Sequence, residues 1–182
     1  MADLFDMEIK RAAIVSDCGR YRYRLRREWD CARASACFIM VNPSTADGHA
    51  DDNTIRRCIR FAHAWGYGAL DVVNLSPWRA TDPDQLKAIG TILFHGPMDS
   101  EHILINDAAI MTALTEPPRP KIVVAAWGAL PHTPSYIFQR SIDVLKILNQ
   151  LGIGAHCLGL TSGHGPRHPL YVRKDAALEP YP

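Results

Sequence analysis

Ala36-Cys37-Phe38-Ile39-Met40-Val41-Asn42-Pro43-Ser44 is an apolar run that stops at an amide followed by a proline. A run apolar on both faces, closed by a residue that cannot donate to a ladder, reads as a strand in the centre of a parallel sheet. Three later segments finish in the same manner. Ala69 to Asn74 ends in an asparagine, Ile122 to Trp127 ends in Trp127-Gly128, and Ala155 to Leu160 runs through a Gly-rich loop, Thr161 to Pro166, into Arg167-His168-Pro169-Leu170. In an open α/β sheet the crevice lies beyond the carboxyl ends of the strands, so these four polar strand ends are expected to converge on one pocket.

The intervening segments read as helices. Ile55, Cys58, Ile59, Ala62 and Trp65 recur at helical spacing behind Asp51, Asp52 and Asn53, which supply an N-cap and suit the positive end of the helix dipole. Gly66 and Gly68 close that helix. Thr81-Asp82-Pro83 starts a short helix that fades by Gly90, Asp99 to Leu114 reads as amphipathic, prolines 117, 118 and 120 break it, and Ser135 to Leu151 ends at Gly152. Alternating strands and helices predict an α/β fold, a three-layer sandwich around a central, mostly parallel four-stranded sheet. Before it, Ala12 to Val15 and Tyr21 to Leu25 flank Asp17-Cys18-Gly19 and predict an N-terminal β-hairpin within about 12–29. No linker or repeat divides residues 1–182, so one domain with its core at about 36–173 is expected.

Composition narrows the class. With 47% hydrophobic and 21% charged residues the chain has ordinary globular chemistry, and no apolar stretch approaches the roughly 20 residues that span a bilayer. The start, Met1 to Lys10, carries charges where a secretory signal needs an apolar run, so a cytoplasmic location is expected; a monomer is expected as well. Five scattered cysteines without a Cys-x-x-Cys pair argue for reduced thiols and against a disulfide framework or a metal cluster. Net charge is only +1, yet Arg20, Arg22, Arg24, Arg26 and Arg27 fall within one short stretch. Period-two alternation puts most of them on one strand face, either to meet nucleic-acid phosphates or as the solvated face of an edge strand.

Site candidates follow from the strand ends. Asn42 and Asn74 each offer one acceptor and one NH2 donor, enough to orient a water or read both groups on a base edge, although an Asx turn that merely ends the strand explains each one alone. His168 is pinned in Gly165-Pro166-Arg167-His168-Pro169, where an imidazole can stabilise negative charge developing on a leaving group. Trp127 reads as a core aromatic, while Gly128 lets backbone approach a ligand. Asp47, Asp51 and Asp52 could serve as metal ligands or as a general base, but helix capping explains all three sufficiently, and neither a metal nor an organic cofactor is expected. Phosphate-loop, nucleophile-elbow and dinucleotide fingerprints are missing from the sequence.

The four segments, in order, resemble the motifs of the uracil-DNA glycosylase superfamily. Met40-Val41-Asn42-Pro43-Ser44 is similar to the Asn-Pro form of its first motif, Val72-Val73-Asn74 to the strand ending in a base-reading asparagine, Ala126-Trp127-Gly128 to a Leu-Trp-Gly strand end, and Arg167-His168-Pro169-Leu170 to the His-Pro motif. Ser44 and Thr45 stand where a base-stacking aromatic is found in that superfamily. The chain also resembles a bacterial and phage domain family of unknown function through its Asn-Pro-Ser-Thr-Ala-Asp and Pro-Arg-His-Pro-Leu-Tyr strings. The first resemblance implies a DNA glycosylase acting on a damaged or modified base flipped out of the stack. Under it Asn42 and His168 are catalytic, and Asn74, Pro43, Ser44, Trp127 and Gly128 bind the base. Arg22, Arg24, Arg26, Ser162, Gly163, Arg167, Leu170 and Tyr171 then contact DNA, with Leu170 or Tyr171 as a wedge in the vacated stack. Two other readings use the same residues: an enzyme modifying bases or nucleosides as small molecules or in RNA, and a module that binds modified nucleic acid without cleaving it.

Overall fold

The structure is a computed structural model that describes residues 8–44, 46, 50–80, 97–130 and 135–182. Its elements are β1 (Lys10–Val15), β2 (Arg22–Glu28), β3 (Ser35–Met40), α1 (Asn53–Ala64), β4 (Ala69–Asn74), α2 (Pro97–Thr115), β5 (Ile122–Ala125), α3 (Ser135–Gln150), β6 (Ala155–Cys157), a 3₁₀ turn (Pro169–Tyr171) and β7 (Glu179–Pro180). The expected helix from Thr81 to Gly90 lies outside the described residues, as do Thr45, Asp47 and His49. Among the described residues no helix is long and apolar enough to cross a membrane.

One mixed sheet of seven strands runs in the order β1-β2-β4-β3-β5-β6-β7. Its centre, β4-β3-β5-β6, is parallel. These are the four strands expected from sequence, with β4 matching Ala69 to Asn74 residue for residue. The expectation of a four-stranded sheet beside a separate hairpin is corrected, because β2 pairs antiparallel with β4 and the hairpin becomes two strands of the same sheet. On the far side β7 pairs with β6, a two-residue strand with no sequence signal of its own. The last parallel strand is also shorter than expected, since Gly159 takes φ +91° and turns the chain out of the ladder before Leu160.

Alternation along the strands divides the core between two faces. Ala36, Phe38 and Met40 of β3 pack with Leu70, Val72 and Val124 against Ile55, Cys58, Ile59 and Ala62 of α1. Cys37 and Ile39 face the opposite way and meet Val73, Val123 and Ala125 together with Ile110 and Leu114 of α2 and Ile137, Val144 and Leu148 of α3. Each large side chain so buried contributes about 1.5–3 kcal/mol, and β3, buried at all six positions, anchors both faces. The amphipathic reading of α2 holds for Asn106, Ile110, Ala113 and Leu114, which are buried, while Leu104 and Met111 are exposed on its outer side.

The arginine stripe does not form. The β1–β2 register shifts between Ile14, opposite Arg24, and Val15, opposite Arg22, so Tyr23 is skipped and the alternation slips. Arg24 and Arg26 both pair with Asp71 of β4, at 2.9 and 2.6 Å, and Arg26 also pairs with Glu28 at 2.7 Å. Arg22 and Arg27 are buried instead, Arg22 donating to the Ala46 carbonyl at 2.6 Å and Arg27 to Asp51 at 2.6 Å. Neither the one-face stripe nor the solvated edge survives, because β2 lies between β1 and β4, with Arg24, Arg26 and Arg27 matched by carboxylates and Arg22 buried against a backbone carbonyl.

Candidate functional site

From β3 the chain crosses to one side to form β4, then to the other to form β5, and a crevice opens where the two crossovers diverge. A cavity of about 540 Å³ occupies that place at the carboxyl ends of the parallel strands. Asn42, Ser44, Asn74, Trp127, Gly128, Arg167, His168 and Tyr171 all line it, so each of the four strand-end segments reaches one cavity. Their spacing along the chain says nothing of this meeting. It follows from parallel strands that end at the same level.

Asn42 leaves β3 with its side-chain NH2 already engaged, donating to the carbonyls of Pro43 at 3.0 Å and Ala80 at 2.8 Å. The amide thus closes the turn and leaves Oδ1 as its acceptor for anything in the cavity. Asn74 is the opposite case. Its backbone carbonyl accepts from Asn106 Nδ2 at 2.9 Å, but its side chain is 1% exposed and neither amide atom has a partner among the described residues. A buried amide left unpaired costs about 1–3 kcal/mol, and a ligand presenting an acceptor beside a donor would recover it.

Trp127 is buried and packs edge-on against Tyr181 at 5.6 Å, so it serves the core and the cavity wall together. Gly128 holds φ +80°, and a β-carbon there would stand 3.4 Å from Cβ of His168. His168 caps the 3₁₀ turn, Nδ1 accepting the Leu170 N–H at 3.3 Å. That bond places the proton of the neutral ring on Nε2, making Nε2–H the donor. Burial pulls the His168 pKa below its ordinary value, while the negative charge of Asp52 works in the opposite sense.

Three polar cavity-lining residues fall outside the site expected from the sequence: Asp52, Thr54 and Thr161. Asp52 has a legible structural duty, since it caps α1 by accepting the Ile55 N–H at 2.8 Å, and that duty masks its place in the cavity. Its second oxygen accepts the Ser44 hydroxyl. Arg22 lines the cavity too, from a buried position and not from an outer face. Pro43, Ser162, Gly163, Leu170, Arg24 and Arg26 do not line it. Ser162 and Gly163 are exposed in the loop before His168, Leu170 is 41% exposed beside the cavity-lining Tyr171, itself 80% exposed, and Arg167 is exposed with Nε on the Leu160 carbonyl at 2.9 Å.

Residues 22–170 match the family described as "Protein of unknown function (DUF1643)". The chain belongs to the DUF1643 family. The matched span opens at Arg22 and closes at Leu170, so it contains the cavity wall apart from Tyr171. No curated protein matches this DUF1643 chain. Among solved structures, a hetero-hexameric glutamate dehydrogenase from Thermus thermophilus in its Leu-bound form is similar at 17% identity with a TM-score of 0.31, over 76% of this chain and 31% of that one. The DUF1643 chain thus spans about a third of the dehydrogenase, and a superposition that loose carries no argument about function.

Proposed function

We propose that this DUF1643 chain is a DNA glycosylase related to the uracil-DNA glycosylase superfamily, which hydrolyses the N-glycosidic bond of a damaged or modified base and leaves an abasic site. One observation carries the reading: Asn42, Asn74, Gly128 and His168, from four separate strand ends in the motif order of that superfamily, line a single cavity. An enzyme that works on a base must take it out of the stack, at a cost of a few kcal/mol that falls for damaged or mispaired bases. The cavity receives the flipped base. Asn74, with both amide atoms unspent, reads its edge. His168, neutral and carrying its proton on Nε2, donates to a base oxygen as the bond breaks. Asn42 Oδ1 orients the attacking water. Since Arg24 and Arg26 are held by Asp71, DNA contact falls to Arg167, to Tyr171 at the mouth and to the exposed Ser162-Gly163 backbone.

The buried cation Arg22 on the same wall favours a second reading, an enzyme acting on a free nucleotide, because a cavity of about 540 Å³ holds a nucleotide whole and a guanidinium suits its phosphate. Incubation with DNAs carrying uracil, mismatched thymine, deaminated purines or hypermodified pyrimidines, followed by alkaline cleavage, separates the two. A strand break at the marked base that falls about 100- to 1000-fold in rate with His168→Ala supports the glycosylase. Turnover of free nucleotides with no break in any DNA overturns it.

A further inference from the structure

We propose that Asp52 is a catalytic carboxylate of this cavity, supplied by the N-terminus of α1 and not by any of the four strand-end motifs. The inference rests on the glycosylase reading and adds to it the group that takes the proton from water. Hydrolysis of an N-glycosidic bond places positive charge on the sugar and needs a base for the attacking water, and the first motif provides neither. Asn42 is uncharged, and its NH2 is committed to the carbonyls of Pro43 and Ala80. An amide cannot accept the proton.

Asp51 and Asp52, adjacent in sequence, have different fates. Asp51 is neutralised by Arg27 at 2.6 Å and Arg11 at 3.5 Å, and its side chain is 4% exposed. Asp52 lines the cavity with Asn42 and His168, and the side-chain contacts described for it are with neutral donors, the Ile55 N–H and the Ser44 hydroxyl. An ionised carboxylate has about four acceptor positions, so two remain for a water. The two hydrogen bonds also fix the plane of the carboxylate, since one oxygen is tied to the helix and the other to the loop that carries the first motif. Its charge reaches His168 in the same cavity and favours the protonated imidazole against the effect of burial. An anion at this position lowers the energy of a cationic sugar and aligns the water that meets it.

The step balances. The bond from C1′ to the base nitrogen breaks and its electron pair leaves with the base. The water oxygen bonds to C1′, and one water proton passes to Asp52 and from there to solvent, while the departing base takes up a proton. No oxidant, reductant or further reactant enters.

Helix capping is the competing role, and chemistry separates the two because asparagine and serine cap a helix about as well as aspartate. Single-turnover excision is measured for the wild type, Asp52→Asn and Asp52→Ser on the DNA that gives the strongest break, alongside DNA affinity and thermal melting. The expected result is a rate lowered about 100-fold or more in both variants, with affinity and melting temperature unchanged. Excision at the wild-type rate by Asp52→Asn overturns the assignment and leaves the glycosylase reading standing. A loss of rate that tracks a loss of melting temperature in both variants also overturns it, in favour of a purely structural cap. If the wild type excises no base from any DNA, the glycosylase reading falls and the assignment falls with it.

Discussion

A β-carbon on Gly128 would lie 3.4 Å from Cβ of His168, and Gly128 already holds φ at +80°. The strand end of β5 and the His-Pro segment therefore meet closely at Gly128, where the left-handed dihedral, more than the space, favours glycine. Gly128→Ala should cost about 1–2 kcal/mol from the left-handed backbone alone. It should also displace the imidazole, so excision should fall by more than the lost stability explains. Urea denaturation and single-turnover kinetics on the same preparation check this, and a variant that loses stability at full rate would uncouple Gly128 from the site.

Asn74 predicts a trade between stability and function. Its buried amide has no partner among the described residues, so Asn74→Leu should leave the protein as stable or more stable while abolishing turnover. Thermal melting with and without substrate decides it. A clear drop in melting temperature would mean that the amide serves the fold.

Asp71 holds together two arginines that would otherwise repel each other. Its side chain is 1% exposed between Arg24 and Arg26, and Asp71→Ala leaves both cations with no carboxylate between them at the β2–β4 seam. A loss of about 3–5 kcal/mol in urea denaturation is expected, far more than for a surface pair. A loss under about 1 kcal/mol would show that the arginines find solvent instead.

Stability should also depend on pH through His168. Burial sets its folded pKa below the ordinary 6.5, so above about pH 6.5 the ring is neutral in both folded and unfolded chains and its full contribution is present. As pH falls from 6.5 toward the folded value, the unfolded chain binds a proton first and stability declines. His168→Asn retains an acceptor for the Leu170 N–H and should flatten that decline, which melting curves between pH 5 and about 7.5 would show.

Cys18 should be the first thiol to react. A hydrogen bond with Ser16 Oγ at 3.3 Å, together with Arg20, lowers its pKa to about 7 on an exposed turn, whereas burial pushes Cys37 and Cys58 up. Peptide mapping after brief iodoacetamide treatment at about pH 7 should find Cys18 modified ahead of Cys37 and Cys58, and Ser16→Ala should slow it. Equal labelling of Cys18 and Cys37 would contradict the burial argument.

What was legible in the sequence follows from the range of each interaction. Ala69 to Asn74, the helix capped by Asp52 and the stop at Gly152 are set by residues a few positions apart, through side-chain period, N-cap chemistry and a glycine with φ +65°, and the structure keeps them. The convergence of four strand ends was legible for a similar reason, because parallel strands joined by helices must all finish at one edge of the sheet. Long-range pairing was not. That β2 joins β4, that Glu179–Pro180 completes the sheet, and that one skipped residue at Tyr23 takes Arg22 out of the alternation shared by Arg24 and Arg26 depend on partners distant in the chain, which local periodicity does not encode. Asp52 shows the difference within one side chain. Its capping role was readable from its neighbours, but its place in the cavity beside His168 was decided only when α1 packed on β3 and β4 and brought its first turn to their carboxyl ends.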